Sequence, residues 1–323
     1  MNQRSLVIEN LLLATLLAAA GAAHAQGWPA KPLRWVVPFP PGGAVDMATR
    51  PIAERVGQAL GARPGIVDNR SGAGGNIGIE TVAKSAADGY TLLVVSDGIA
   101  SNPHVYKVSW DPLRDFVPVI HLARQPVVLA VHPSLGVSSV AELVVAAKQK
   151  PGMGFATSGA GSQQHITGEW FAKLAGIQLT HVPYKGGGQA IIDLVGGQVQ
   201  IASLGSSPLI PHYRAGKLKL LAQSTAARAP TLPEVPTYEE SGYRGLVIEQ
   251  WIGVFVPAGT PPEIVARLNA EIGKALAESA IRERYAQAAM EPVGGTGTDM
   301  ARLLRADFDK YGRLVKEFNI KLE

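Results

Sequence analysis

No cysteine occurs among the 323 residues. That single absence excludes disulfides, thiolate metal sites, cysteine nucleophiles and the lipid-carrying cysteine of a bacterial lipoprotein. A basic run is also missing: the Lys and Arg residues are scattered and the formal charge is only +4. Such a balance gives a mild attraction for anions and no nucleic-acid surface. Hydrolytic signatures are lacking as well. There is no G-x-S-x-G elbow, none of the 7 histidines falls in an H-E-x-x-H pair, and no His/Asp/Glu spacing assembles a metal site. Low-complexity tracts and internal repeats are absent, and beyond the first residues no apolar run approaches the roughly 20 residues that a bilayer span needs.

The amino terminus carries the first positive signal. Arg4 stands in a basic start, Leu11 to Leu17 form a short apolar stretch, and Ala23-His24-Ala25 precede Gln26. This is the order of a cleaved secretory leader, with the cut expected after Ala25. Glu9 is out of place in such a leader and keeps an uncleaved membrane anchor as the alternative, although the apolar stretch is too short to span. The remaining residues suggest two domains of about 150 residues each. Composition is that of an ordinary globular chain, 46% hydrophobic and 17% charged, with 36 Gly and 23 Pro marking many tight turns.

Short β-rich runs alternate with amphipathic helices almost from end to end, which predicts an α/β fold of parallel sheets covered by helices. A strand at Leu33 to Val37 runs into Pro38-Phe39-Pro40-Pro41-Gly42-Gly43, and a helix follows with Val45, Ala48, Ile52 and Val56 at core spacing. Next come Ile66-Val67, the loop Asn69 to Gly75, a helix over 76–87 and a strand over 90–95. A strand at Val127 to Val131 begins the second domain, and Ser139 with Glu142 predicts a capping box. The alternation then repeats: strand 154–156, helix 163–174 with Ile166, Trp170 and Leu174 on one face, strand 179–182, helix 188–195, and strands 199–204 and 218–222. After a surface connection over 228–245, a long strand covers 247–256. A helix with Ile264, Leu268, Ile272 and Leu276 on its core face follows, and a last helix over 300–318 packs back on the first domain.

Three loops share a property: Pro38 to Asp46, Asn69 to Gly78 and Thr157 to His165 each follow a strand, are rich in Gly or Ser, and open a helix. Free N–H groups and the positive end of the helix dipole hold anions there without a formal cation. In any one loop the glycines can equally serve only to make a tight turn; three on one scaffold favour a ligand, because strand ends at a switch point collect ligands. Asp46, four residues before Arg50, fits a helix-start cap or an i,i+4 ion pair better than a catalytic acid. Asn76 can cap its own helix or reach an anion, His165 can be a satisfied core side chain, and Lys185 can be a solvated charge. A dinucleotide unit is the enzymatic rival, since Gly72, Gly74 and Gly78 precede a helix and Asp97 ends the next strand about 20 residues on. Its loop reads G-x-G-G-x-x-G, however, with Asn69-Arg70-Ser71 inserted, and export removes the chain from the nicotinamide pool.

Taken in order, these residues resemble a known family. Pro38 to Gly43 with Asp46 and Arg50, Asn69-Arg70 with Gly72 to Gly78, Asp88 to Leu93, Ser158 to Ser162 with His165, Val182 to Gly186, Ala215 to Leu218, Pro233 to Thr237 and Pro257 to Pro261 are similar to the Bug, or TctC, receptors of tripartite tricarboxylate transporters. The resemblance covers the mature chain. It implies a type II-like, two-lobed periplasmic-binding-protein fold, with lobe 1 over 26–124 and 250–323 and lobe 2 over 125–249. It further implies a periplasmic, monomeric protein that is not an enzyme, needs no cofactor or metal, and captures a small organic carboxylate for membrane transporter subunits or, alternatively, for a membrane sensor. The ligand-binding residues so implied are Pro38, Phe39, Gly42, Gly43, Gly75, Asn76 and Ser96 in the first lobe, with Ser158, Gly159, Ser162, Gln163, His165, Tyr184, Lys185 and Gly186 in the second. Where many relatives carry acidic or amide residues this chain has Gln200 and Leu204 to Ser207, so a ligand without an ammonium group is expected: a di- or tricarboxylate or an aromatic acid.

Overall fold

A computed structural model describes residues 28–61 and 64–320; the leader expected over 1–25 lies outside them. The first lobe opens with β1 (Arg34–Val37), α1 (Ala44–Ala59), β2 (Ile66–Asn69), α2 (Asn76–Ala83), β3 (Thr91–Ser96) and α3 (Gly98–Val105). Then β4 (Phe116–Val131) leads to α4 (Val140–Gln149), β5 (Met153–Thr157), α5 (Gln163–Ala175), β6 (Leu179–Pro183), α6 (Gly187–Val195), β7 (Ile201–Gly205), α7 (Ile210–Arg214) and β8 (Lys219–Gln223). The return runs through β9 (Glu249–Pro257), α8 (Pro262–Ala277), α9 (Ser279–Gln287), β10 (Glu291–Gly294) and α10 (Gly297–Glu317).

Within each half the strands are parallel as expected: β1 with β2 and β3, and β5 with β6 and β7. Between the halves they are not. The order is β2-β1-β3-β9-β4-β7-β5-β6, and β9 runs antiparallel to both β3 and β4. The chain leaves the first half along β4 and comes back along β9, so these two strands must point in opposite directions. β4 is far longer than the run at 127–131 suggests. Pro118 and Pro126, which usually argue against a strand interior, sit at breaks in the pairing: the β4/β9 register shifts between Pro118 and Ile120, and Pro126 is the last residue paired with β9 before β7 takes over at Val127. β4 pairs with β9 up to Pro126 and with β7 from Val127 onward.

Helical spacing places the core correctly in most elements. Val45, Ala48, Ile52 and Val56 of α1 bury against the first sheet with Trp35 and Leu92, and Leu268, Ile272 and Leu276 of α8 join the same cluster. The last helix packs its Leu304, Tyr311 and Val315 against Ile99, Trp251 and Phe255 in the first lobe. Two apolar clusters, around Leu204 and around Phe155 with Phe171, hold the second lobe. Leu174 departs from the expected face: it is exposed, while Ile166 is fully buried. The polar first turn of α5, Gln163 to His165, is buried instead, so this helix presents its N-terminus rather than its C-terminal turn to the interior. At α4, the Ser139 hydroxyl accepts from the Glu142 N–H at 3.2 Å, but the Glu142 carboxylate reaches back to the Ser138 N–H rather than to Ser139.

Candidate functional site

The loop after β1 is braced from below. Asp46, buried in the first turn of α1, accepts from Arg50 Nη2 at 2.7 Å, from the Gly42 N–H at 3.0 Å and from Asn69 Nδ2 at 3.0 Å. Burial alone would raise its carboxyl; the bonds from Arg50, Gly42 and Asn69 outweigh that and hold it below the ordinary value. The ion pair is thus a strut. Asn69 Nδ2 also donates to the Phe39 carbonyl at 3.0 Å, so one amide ties the second loop to the first.

The glycine loop before α2 needs its glycines for two reasons. Gly72, Gly74 and Gly75 all have positive φ, and a Cβ on Gly74 would stand 2.7 Å from Tyr106 Oη. Asn102 Nδ2 donates to the Gly74 carbonyl at 3.0 Å and to Asn76 Oδ1 at 2.8 Å. Tyr106 thus packs directly on the glycine loop at Gly74.

In the third loop Ser162 caps α5 by accepting from the His165 N–H at 3.3 Å, while Ser158 Oγ donates to Gln164 Oε1 at 2.8 Å. His165 faces inward to its own lobe: Nδ1 accepts from the Gly161 N–H at 3.1 Å, and the ring stacks on His181 at 3.5 Å between centroids, 8° from parallel. Burial, with the neighbouring His165, pushes His181 down to about 3.

The two lobes meet around a cleft. Tyr106 Oη of the first donates to the Ala160 carbonyl of the second at 2.8 Å. Gly186 lies so close to Pro40 that a Cβ would come within 2.7 Å of its Cδ. Two adjoining spaces lie inside this rim. The outer one, about 450 Å³ with its open mouth, is lined by Phe39, Gly43, Ala44 and Val45 from the first lobe and by Ser158, Gln164, Gly187, Ile191, Leu204, Gly205 and Pro208 from the second, with Ser96 and Gln250 between them. The inner one, about 310 Å³ counting the open solvent at its mouth, is lined by Gly74, Asp97, Gly98, Asn102, Gly159, Ala160, Ser162 and Gln163, and it shares Phe39, Ser96, Ser158 and Gln164 with the outer.

Of the residues singled out from the sequence, Phe39, Gly43, Ser96, Ser158, Gly159, Ser162 and Gln163 line these spaces. Pro38, Gly42, Gly75, Asn76, His165, Tyr184, Lys185 and Gly186 do not. Gly42 spends its N–H on Asp46, Gly75 packs on Phe39, and Tyr184 Oη donates to Asp193 of the next helix at 2.7 Å. Lys185 is exposed. Sequence reasoning missed Gln164, Ile191 and Gln250 and treated Asp97 only as a ribose acceptor. Gln250 had no local signal: it lies inside a strand and is fixed by Gln125, 125 residues away, whose Nε2 donates to its Oε1 at 2.7 Å.

Electrostatically the cleft relies on main chain. No Lys or Arg lines either space among the described residues, while the N-terminal turns of α1 and α6 edge the outer space and those of α3 and α5 the inner one. Each such turn offers N–H groups that no intrahelical carbonyl takes, at the positive end of a dipole. The single ionisable group on the lining is Asp97. Tyr311 Oη donates to its Oδ2 at 2.7 Å. Burial, helped by nearby Asp307 and opposed by the Tyr311 hydrogen bond and Lys310, pushes its carboxyl up to about 7.

Comparison with known proteins places this geometry. The profile described as "Tripartite tricarboxylate transporter family receptor" matches residues 48–320. Protein BugT of Bordetella pertussis is 37% identical over 328 residues, covering 99% of either chain. Among solved structures, a protein of R. palustris with adipate is 37% identical over 91% of this chain and 100% of its own, with a TM-score of 0.88. MatC of Rhodopseudomonas palustris with bound malate is 30% identical over 89% of this chain and 100% of its own, with a TM-score of 0.84.

Proposed function

Because the chain belongs to the tripartite tricarboxylate transporter receptor family, we propose that it is an exported receptor that closes over a small organic diacid and passes it to the transporter's membrane subunits. One observation carries this reading: helix N-termini from both lobes converge on a cleft whose lining holds no Lys or Arg. An anion held there is held by oriented N–H groups. At about 1.5–3 kcal/mol for each charge-assisted bond, four of them reach the roughly 8 kcal/mol of micromolar binding, and the remaining ordering cost is met by the apolar wall.

That wall, Val45, Ile191, Leu204 and Pro208, suits the hydrocarbon body of a dicarboxylate, in keeping with the adipate and malate named for the two relatives. Phe39, Gly43, Ser96, Ser158, Gly159, Ser162 and Gln163 contact the ligand in this reading. Pro38, Gly42, Gly75, Asn76, His165, Tyr184, Lys185 and Gly186 shape the loops that carry those contacts. Lobe 1 (26–124 and 250–323) and lobe 2 (125–249) move as units, and the hinge lies where β4 exchanges β9 for β7. The protein is a monomer without turnover.

Thermal shift against succinate through suberate, citrate, benzoate and the acidic amino acids tests the ligand class, and small-angle scattering tests closure. Stabilisation by at least one diacid together with a smaller radius of gyration is the expected result. A rigid molecule indifferent to all of them would overturn the reading.

A further inference from the structure

The inner space contains polar atoms that the fold leaves without partners. Asp97 and Gln163 line it from opposite lobes, and both side chains are 1% exposed. Asp97 Oδ1 and both amide atoms of Gln163 make no hydrogen bond of ordinary geometry within the protein, although the Gln163 amide lies beside the Tyr311 hydroxyl and Asp97 beside its own backbone N–H. Unpaired buried polar groups each cost about 1–3 kcal/mol, and their concentration on one cavity points to a guest that satisfies them.

We propose that the inner space is a proton-linked carboxylate subsite, in which Asp97 acts as a carboxylic acid and donates its Oδ1 proton to the second carboxylate of the diacid, with Gln163 completing the contact. The inference rests on the diacid reading and names the chemistry of one end of it. Geometry decides where the proton sits. Oδ2 already accepts from Tyr311 Oη at 2.7 Å, which leaves Oδ1 as the oxygen to carry it.

The surroundings favour the acid form. Lys310, the nearby cation on α10, is engaged at 2.7 Å by Asp307, which also accepts from Trp251 Nε1 at 2.6 Å. His104, on the helix that follows Asp97, is bonded to the Phe308 carbonyl, and His165 on α5 is stacked on His181. Burial therefore raises the Asp97 carboxyl and the neighbouring Asp307 adds to it, against the opposing pull of the Tyr311 hydrogen bond and Lys310. An ionised Asp97 would repel a carboxylate guest. Above pH 7 binding must then take a proton from solvent onto Asp97.

The full mature chain is titrated with the diacid of the succinate-to-suberate series that gives the largest thermal shift, at pH 6.0 to 8.5 in two buffers of different ionisation enthalpy. An ordinary carboxylic acid is all but fully ionised above pH 7, so ligand protonation adds little in the part of the range where uptake is read. The expected result is uptake of about one proton per ligand at pH 8.5 and a Kd that rises about tenfold per pH unit above 7. Asp97→Asn keeps a donor towards the cavity and an acceptor for Tyr311. It should bind with an affinity constant within about twofold across the range and take up no proton. His165 is untouched in that variant, so loss of the pH dependence assigns the proton to Asp97. The uptake measured on the unaltered chain stands even if the variant does not fold.

Diacid binding with neither proton uptake nor pH dependence overturns the inference and leaves the diacid reading intact. So does a preference for an acidic amino acid at pH 8.5, which would mean that an ionised Asp97 accepts an ammonium group. If no diacid binds at any pH, both fall.

Discussion

The outer and inner spaces of the cleft share Phe39, Ser96, Ser158 and Gln164 yet are built on different chemistry. Hydrocarbon from Val45, Ile191, Leu204 and Pro208 faces the outer one beside glycine-rich helix starts. Asp97, Asn102, Ser162 and Gln163 face the inner one. The difference teaches how a cleft lined by no Lys or Arg would, in the proposed reading, take two negative ends. Main-chain dipoles are fixed by the fold and unaffected by pH, whereas a buried side-chain acid works only while it keeps its proton.

Blocking the outer space should have the largest effect. Gly43 has an ordinary φ of −78° and a Cβ there would meet only the Pro40 carbonyl at 3.7 Å, so the backbone tolerates a side chain. Gly43→Trp then fills the space: diacid affinity should fall about 100-fold or more, some 2.7 kcal/mol, with an unchanged circular dichroism spectrum. Persistent affinity in the folded variant would show that this loop is not the anion site.

Charge in the inner space comes next. A carboxyl raised in the folded state binds its proton more tightly there than in the unfolded chain. Its stabilising contribution is full below pH 4 and is lost as pH rises through 7. Asp97→Asn should therefore stabilise the ligand-free protein at pH 8 by on the order of 2 kcal/mol and change little at pH 4. Denaturant unfolding at both pH values checks this; equal stability at pH 8 would mean that the carboxyl is not strained by burial.

The apolar wall supplies the smallest effect. Leu204→Ala removes about three buried carbons facing the ligand, and affinity should drop roughly tenfold, near 1–2 kcal/mol, with no change in pH dependence. Calorimetry at pH 6 and 8 separates this loss from one acting through Asp97.

Much of the fold was legible because its causes are local. Core spacing in α1 and α8, the Ser139 cap and the glycine loops at strand ends all depend on residues a few positions apart. β4 is longer than the apolar run at 127–131 suggests: Pro118 and Pro126 lie in it, and only pairing with β9 on one side and β7 on the other holds it extended over 16 residues. Leu174 kept helical spacing but met no partner. Of the 15 residues singled out from the sequence, 7 line the two spaces and 8 do not, and the latter divide the same way. Tyr184 and Lys185 follow a strand end like Ser158, yet Tyr184 bonds within its own lobe to Asp193. Gln250 lies in a strand with nothing to mark it.

By itself the sequence determined the alternating α/β architecture, the three glycine-rich loops that open helices, and the absence of thiol chemistry, because residue type and short spacing are enough to set those. Only the tertiary structure decided that Asp97 would lose water, meet Tyr311 from 214 residues away and face Gln163 across the cleft. Desolvation and charge pairing depend on which distant segments are brought together, and no local pattern encodes that.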